Sequence, residues 1–124
     1  MQRTFTGWAA ALGFLGVAFG AFGTHALGAM LDAAGRRATY ETAVQYQLVH
    51  AAALLGAAWA AGQWPGRWTR WAGWLLVAGV VLFSGSLYVL SIFNLSIMGA
   101  VAPLGGACFL AGWACLGVAA WQAK

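Results

Sequence analysis

Charged residues punctuate this chain at wide intervals, and between them it is almost continuously apolar. No Asp, Glu, Lys or Arg falls within residues 4–31, 42–66 or 71–123. A helix rises ~1.5 Å per residue, so roughly 20 residues cross a ~30 Å hydrocarbon layer. The first two runs each fit one crossing. The third would extend ~80 Å as a single helix and must fold back. The turn is placed at FNLS, Phe93 to Ser96, where Asn94 and Ser96 are the clearest polar breakers. Four helices are therefore expected, at about 5–27, 40–62, 71–92 and 97–121. Pro103 lies inside the last run, where its ring and missing N–H predict a kink or a fresh helix start.

Composition agrees with the pattern. The chain of 124 residues is 63% hydrophobic and 6% charged. A soluble domain of this size has no interior large enough for that apolar surface, so the solvent is lipid. The expected fold class is all-α: a compact bundle of four transmembrane helices in one domain, residues 1–124, with a Pro-kinked fourth helix. MQR followed by an apolar run invites a signal-peptide reading. The run is too long for an h-region, and no A-x-A site closes it. Cys108 and Cys115 lie two turns apart on one predicted helix, ~10 Å, too far for a disulfide or a shared metal.

The net charge of +4 forms no nucleic-acid patch, because its six basic residues are scattered over loops and ends. They read instead as topology signals. With four spans, Arg3, Arg67, Arg70 and Lys124 share one side, against Arg36 and Arg37 on the other. That asymmetry puts both termini in the cytoplasm. Trp8, Trp64, Trp68, Trp71, Trp74 and Trp121 fall toward the same side, with Trp59 a turn deeper, as an aromatic belt at headgroup depth. Only Trp113 is clearly interior.

In the first helix Gly13, Gly16, Gly20 and Gly23 fall within about 80° of arc, a single stripe. Lipid supplies no hydrophobic drive for helix association, so small residues serve to bring backbones together. Tight packing within the chain is the first expectation for this stripe and a homo-oligomeric face the second. Polar side chains collect elsewhere. Tyr46, Gln47 and His50 share one face of the second helix, about 100° wide, while Glu41 and Gln45 face away. Ser84, Ser86 and Tyr88 lie in the outer half of the third helix, and His25 near the outer end of the first. These seven residues form a candidate intramembrane polar network. Intramembrane ionisable groups default to a functional hypothesis, and a register-fixing hydrogen-bond network is the plainer one.

If the second helix enters the membrane at Tyr46, His25 and His50 lie at similar depths, and two imidazoles can hold a haem or a metal. No C-x-x-C-H, nearby cysteine or intramembrane carboxylate accompanies them. No carboxylate is placed to orient a base for nucleophilic catalysis, and no polar path runs through both leaflets. The expectation is a non-enzymatic accessory, assembly or structural component of a membrane complex, without a cofactor. Its partners are the lipid bilayer and other membrane proteins. A haem or quinone site around His25 and His50 is the first alternative, and a small transporter component the second.

GFLGVAFGAFGTHAL, TAVQYQLVHA, LFSGSLYVL, GAVAPLGG and AGW, in this order, resemble the "domain of unknown function 423" family of small bacterial inner-membrane proteins, which has relatives in eukaryotes. The resemblance covers nearly the whole chain, with Thr24 standing where a smaller alanine is expected. It implies a complete four-span membrane protein and brings no catalytic residue with it.

Overall fold

The computed structural model describes residues 1–124, and every element in it is helical. Helix α1 spans Gln2–His25, α2 Gly28–Ala34 and α3 Arg37–Gln63. Helix α4, Arg67–Gly79, passes into a π-helical turn, Val80–Ser84, and on into α5, Gly85–Phe93. A 3-10 turn, Ser96–Ala100, leads to α6, Ala102–Gln122. Three segments, Gln2–His25, Arg67–Phe93 and Ser96–Gln122, are long and apolar enough to cross a membrane. Helix α3 is as long, at 27 residues, but carries more polar side chains.

The breaks follow local chemistry. Asn94 adopts the left-handed conformation (φ 54°) that ends α5, at the turn expected from FNLS. Pro65 stops α3, because the residue before a proline is pushed out of the helical region. The predicted kink at Pro103 is corrected: the proline occupies the first turn of α6, where its missing N–H has no intrahelical partner to lose. The 3-10 segment thus occupies the stretch that was expected to begin the fourth span. Helix α2 was not anticipated, since seven residues are too few to show a period. It closes at Gly35 (φ 69°), whose N–H bonds to the Asp32 carbonyl while that of Arg36 reaches Leu31.

Helix α1 packs along α3, and the α4–π–α5 rod along α6. Helix α3 joins the two pairs by lying against the rod. The polar corners meet at one end. Arg36 donates from Nε to Asn94 Oδ1 (3.0 Å) and from Nη2 to Ser96 Oγ (3.2 Å). Arg37 donates twice to the Asp32 carboxylate (2.5 and 2.9 Å), which holds that carboxyl below its ordinary range. The tryptophan-rich α3–α4 loop lies at the other end, near the start of α1 and the end of α6.

Side-chain size is distributed in reverse of a soluble bundle. Alanine supplies nearly half of the buried apolar positions, around a central cluster whose large members are Phe5, Leu12, Leu54, Leu76 and Phe109. Ile97, Phe14 and Leu110 are each about three-quarters exposed. Such a surface suits acyl chains and is far more apolar than water tolerates over a whole molecule.

Glycines set how closely the helices approach. The predicted stripe of Gly13, Gly16, Gly20 and Gly23 faces α3, opposite Ala51, Leu48, Val44 and Tyr40 in turn. Three notches each receive an aromatic ring: Tyr40 over Gly23, Phe5 over Gly73 and Phe109 over Gly79. At Gly105 the approach is backbone to backbone, against Phe83 in the π turn, whereas Gly106 opens onto free space. A methyl at Gly105 therefore has no flexible neighbour to displace. Gly105→Ala should destabilise the protein by ~1–3 kcal/mol, as overpacking does elsewhere, and Gly106→Ala should be nearly silent. Paired melting curves in mild detergent check this contrast, and equal tolerance at the two positions would mean that α6 and the π turn are not in close contact.

Candidate functional site

The polar residues singled out in the sequence resolve into separate hydrogen-bonded clusters. Gln47, buried on α3, links three helices. Its amide Nε2 donates to the Leu12 carbonyl of α1 (2.9 Å), and its Oε1 accepts from the Tyr88 hydroxyl of α5 (2.6 Å). Tyr88 is held by edge contacts with Phe19 and Tyr40, at 5.1 and 5.3 Å between ring centres. The Tyr40 hydroxyl donates to the Phe19 carbonyl (2.5 Å). Ser84, in the π turn, donates to the Ala43 carbonyl of α3 (2.7 Å). Leu12 and Ala43 accept these bonds on carbonyls that have a second lone pair beyond the helical ladder.

His50 belongs to a different cluster. Its Nδ1 lies 2.8 Å from the Tyr46 carbonyl, one turn back on the same helix, and the indole Nε1 of Trp113 lies 3.1 Å from its Nε2. An indole N–H only donates, so Nε2 accepts. The proton therefore resides on Nδ1 and is given to Tyr46. This is a neutral imidazole with both nitrogens satisfied. Its ring stacks on Phe109 at 3.6 Å between centres, inclined by 13°. Tyr46 contributes its carbonyl here, while its ring packs against Phe83 (4.6 Å) on the outside.

Two expected members stand apart. Ser86 is buried but donates to Phe83 of its own helix (2.9 Å), so it fastens nothing across an interface. His25 is exposed at the last residue of α1. Gly16 of α1 lies level with Gln47 and Leu48 of the antiparallel α3. His25 and His50 are thus ~15–20 Å apart along the bundle, and the reading that places them at one depth is corrected. The expected depth assumed membrane entry at Tyr46, whereas helix α3 already begins at Arg37, three residues before its expected start, and His50 lies ~20 Å along it. The polar groups accordingly run from the end that holds Arg36 and Asn94 to mid-bundle and are not confined to one half.

Trp113 is the member of the interior hydrogen-bonded groups that helical periodicity missed. A signal existed: it alone among eight tryptophans falls clearly inside a span. Beside it lies a groove of about 590 Å³ between α3, the π turn and α6, bordered by Tyr46, His50, Phe83, Pro103, Phe109 and Trp113. All buried side-chain nitrogens and oxygens have hydrogen-bond partners.

The clusters differ in what they lose on substitution. Gln47→Leu leaves the Tyr88 hydroxyl unpaired in a dry site and should cost ~1–3 kcal/mol; adding Tyr88→Phe removes the orphan and should recover part of that loss. His50→Leu should destabilise by a similar ~1–3 kcal/mol through the stranded Trp113 indole, with His50→Gln milder because it can still accept. His25→Leu and Ser86→Ala should melt like the parent. Melting of this series in one detergent checks the partition, and a His25→Leu loss equal to that of His50→Leu would place His25 inside the network after all.

Comparison with known proteins agrees with this architecture. The family model "Protein of unknown function (DUF423)" matches residues 19–106. The chain is 44% identical over 107 residues to the UPF0382 membrane protein YwdK of Bacillus subtilis, covering 86% of each chain. It is 42% identical over 117 residues to the UPF0382 inner membrane protein YgdD of Escherichia coli K12, covering 94% of this chain and 88% of that one. No solved structure matches. With the family model covering Gln47, His50, Tyr88 and Pro103 among its matched residues, and relatives 44% and 42% identical matched over most of their length, this chain is a membrane protein of the DUF423 family.

Proposed function

We propose that this protein is a four-span inner-membrane component with both termini in the cytoplasm, acting without catalysis as an accessory or assembly part of a larger membrane complex. The observation that carries this reading is a division of labour. Interior polar groups are consumed by the chain's own helices, while large apolar side chains such as Phe14, Ile97 and Leu110 point outward with nothing of the chain upon them. Helix α3 supplies the fourth crossing. Its 27 residues measure ~40 Å, and its polar members Gln47 and His50 are turned into neighbouring helices. Such groups lower hydropathy without facing lipid. Four crossings put Arg3, Arg67, Arg70 and Lys124 on one side and Arg36 and Arg37 on the other, the asymmetry that orients inner-membrane proteins. The Escherichia coli relative is named an inner membrane protein.

A second reading is favoured by the groove beside His50 and Trp113, which is open sideways and carries the Tyr46 side chain, 41% exposed, on its rim. A flat apolar ring such as a quinone suits that shape. Haem ligation by His25 and His50 has no support in a geometry that holds the two residues far apart.

Two experiments test these readings. In a background with Cys108→Ser and Cys115→Ser, Arg67→Cys should be labelled only from the cytoplasm and Arg36→Cys only from outside; the reverse pattern would invert the orientation. Photo-crosslinking groups at positions 14, 97 and 110, activated in native membranes, should yield a discrete adduct with another membrane protein from at least one face. Lipid adducts alone from all three would remove the accessory role. Solvent extraction of the purified protein that returns a quinone in equimolar amount would favour the second reading.

A further inference from the structure

The tryptophan-rich end holds a cavity of about 480 Å³ between the α3–α4 loop and the end of α6, lined among others by Gln63, Trp64, Arg67, Trp68, Gln122 and Lys124. We propose that this cavity binds the phosphate headgroup of an anionic phospholipid. Neither Arg67 nor Lys124 is ion-paired, the ion pairs of the structure being those of Arg37. The only carboxylate side chains, Asp32 and Glu41, lie at the opposite end and face Arg37. Arg67 instead lays its guanidinium over the Trp68 ring, 4.9 Å from the ring centre, a contact that leaves the N–H groups around its edge free for an anion. Gln63 and Gln122 add amide donors.

The loop that forms one wall is held in shape from beneath. The buried Thr69 hydroxyl lies 3.3 Å from the Trp64 carbonyl and 3.2 Å from that of Gly66, and the Trp64 N–H bonds to the Ala60 carbonyl (2.7 Å). The depth is right for a headgroup. Trp8, Trp71, Trp74 and Trp121 gather at the same end, and indoles settle where acyl chains give way to headgroups. A lipid phosphate reaches a site at that level with its chains lying along the outward apolar face, and basic groups near an anionic surface add to the attraction. Phosphatidylglycerol fits: a phosphodiester charge beside the Arg67 and Lys124 side chains, with glycerol hydroxyls for the glutamines.

Native mass spectrometry of the full chain, released from detergent containing either phosphatidylglycerol or phosphatidylcholine, tests this directly. One phosphatidylglycerol should be retained and phosphatidylcholine should not. Arg67→Gln combined with Lys124→Gln should weaken retention at least tenfold, with an unchanged melting curve. Arg3→Gln, at the same end but outside the cavity, should leave retention as it was. Inorganic phosphate at millimolar concentration should compete poorly. Equal weakening by Arg3→Gln would mean diffuse surface charge and overturn the site, and full displacement by inorganic phosphate would make it a site for the free anion. Retention unaffected by the Arg67 and Lys124 changes would also refute it. None of these readouts depends on which side of the membrane this end occupies or on a protein partner.

Discussion

Lipid gives helices no reason to associate through their apolar faces, and the glycine notch answers that constraint. Each notch lets a ring from the facing helix sit where a side chain would otherwise stand: Tyr40 at Gly23, Phe5 at Gly73 and Phe109 at Gly79. Dispersion contacts then accumulate over a whole aromatic face, which is the attraction left when hydration is removed from the balance. The notches also fix registry, because a ring seated over a glycine cannot slide past the β-carbons above and below it. Helix α1 is positioned on α3, and α4 on α6, by these seats.

Hydrogen bonds complete what the notches begin. Gln47 spans α1, α3 and α5 from one side chain, and it does so level with the Gly16 contact. Close approach of the backbones makes this reach feasible, and the amide in turn specifies one rotation of α3 among those that would bury its small residues. His50 acts likewise toward α6 through Trp113. Because both ring nitrogens are already committed, the imidazole has nothing spare for a metal or a substrate unless one of those bonds opens.

Much of this was legible in the chain. Charge-free runs marked the long helices, Asn94 marked the turn after α5, and the three-four-three spacing of glycines marked the contact face of α1. What was illegible has physical causes. A helical wheel gives azimuth but not depth, so His25 and His50 looked like neighbours until the register of α1 on α3, with Gly16 against Gln47 and Leu48, set their levels. A hydroxyl that can bond to its own helix reads the same as one that crosses an interface; Ser84 does the second and Ser86 the first. Trp113 carries its bond on an indole, a side chain whose apolar bulk dominates every periodicity measure. Pro103 was ambiguous between interior and first turn because both ends of its run are apolar.

The widened turn at Val80–Ser84 divides the rod that runs from Arg67 to Phe93 into two segments with independent phase. A π turn absorbs one residue more than an α turn does, offsetting everything beyond it by about 100°. Its geometry is that of an α-helix with one residue added. Below it, Gly73 and Gly79 keep the phase that meets Phe5 and Phe109; above it, Tyr88 keeps the phase that meets Gln47. Among relatives, a lineage that lost this residue would carry an ordinary helix with the same glycines and a misdirected tyrosine. A gap at this point in an alignment is therefore a structural event and not noise.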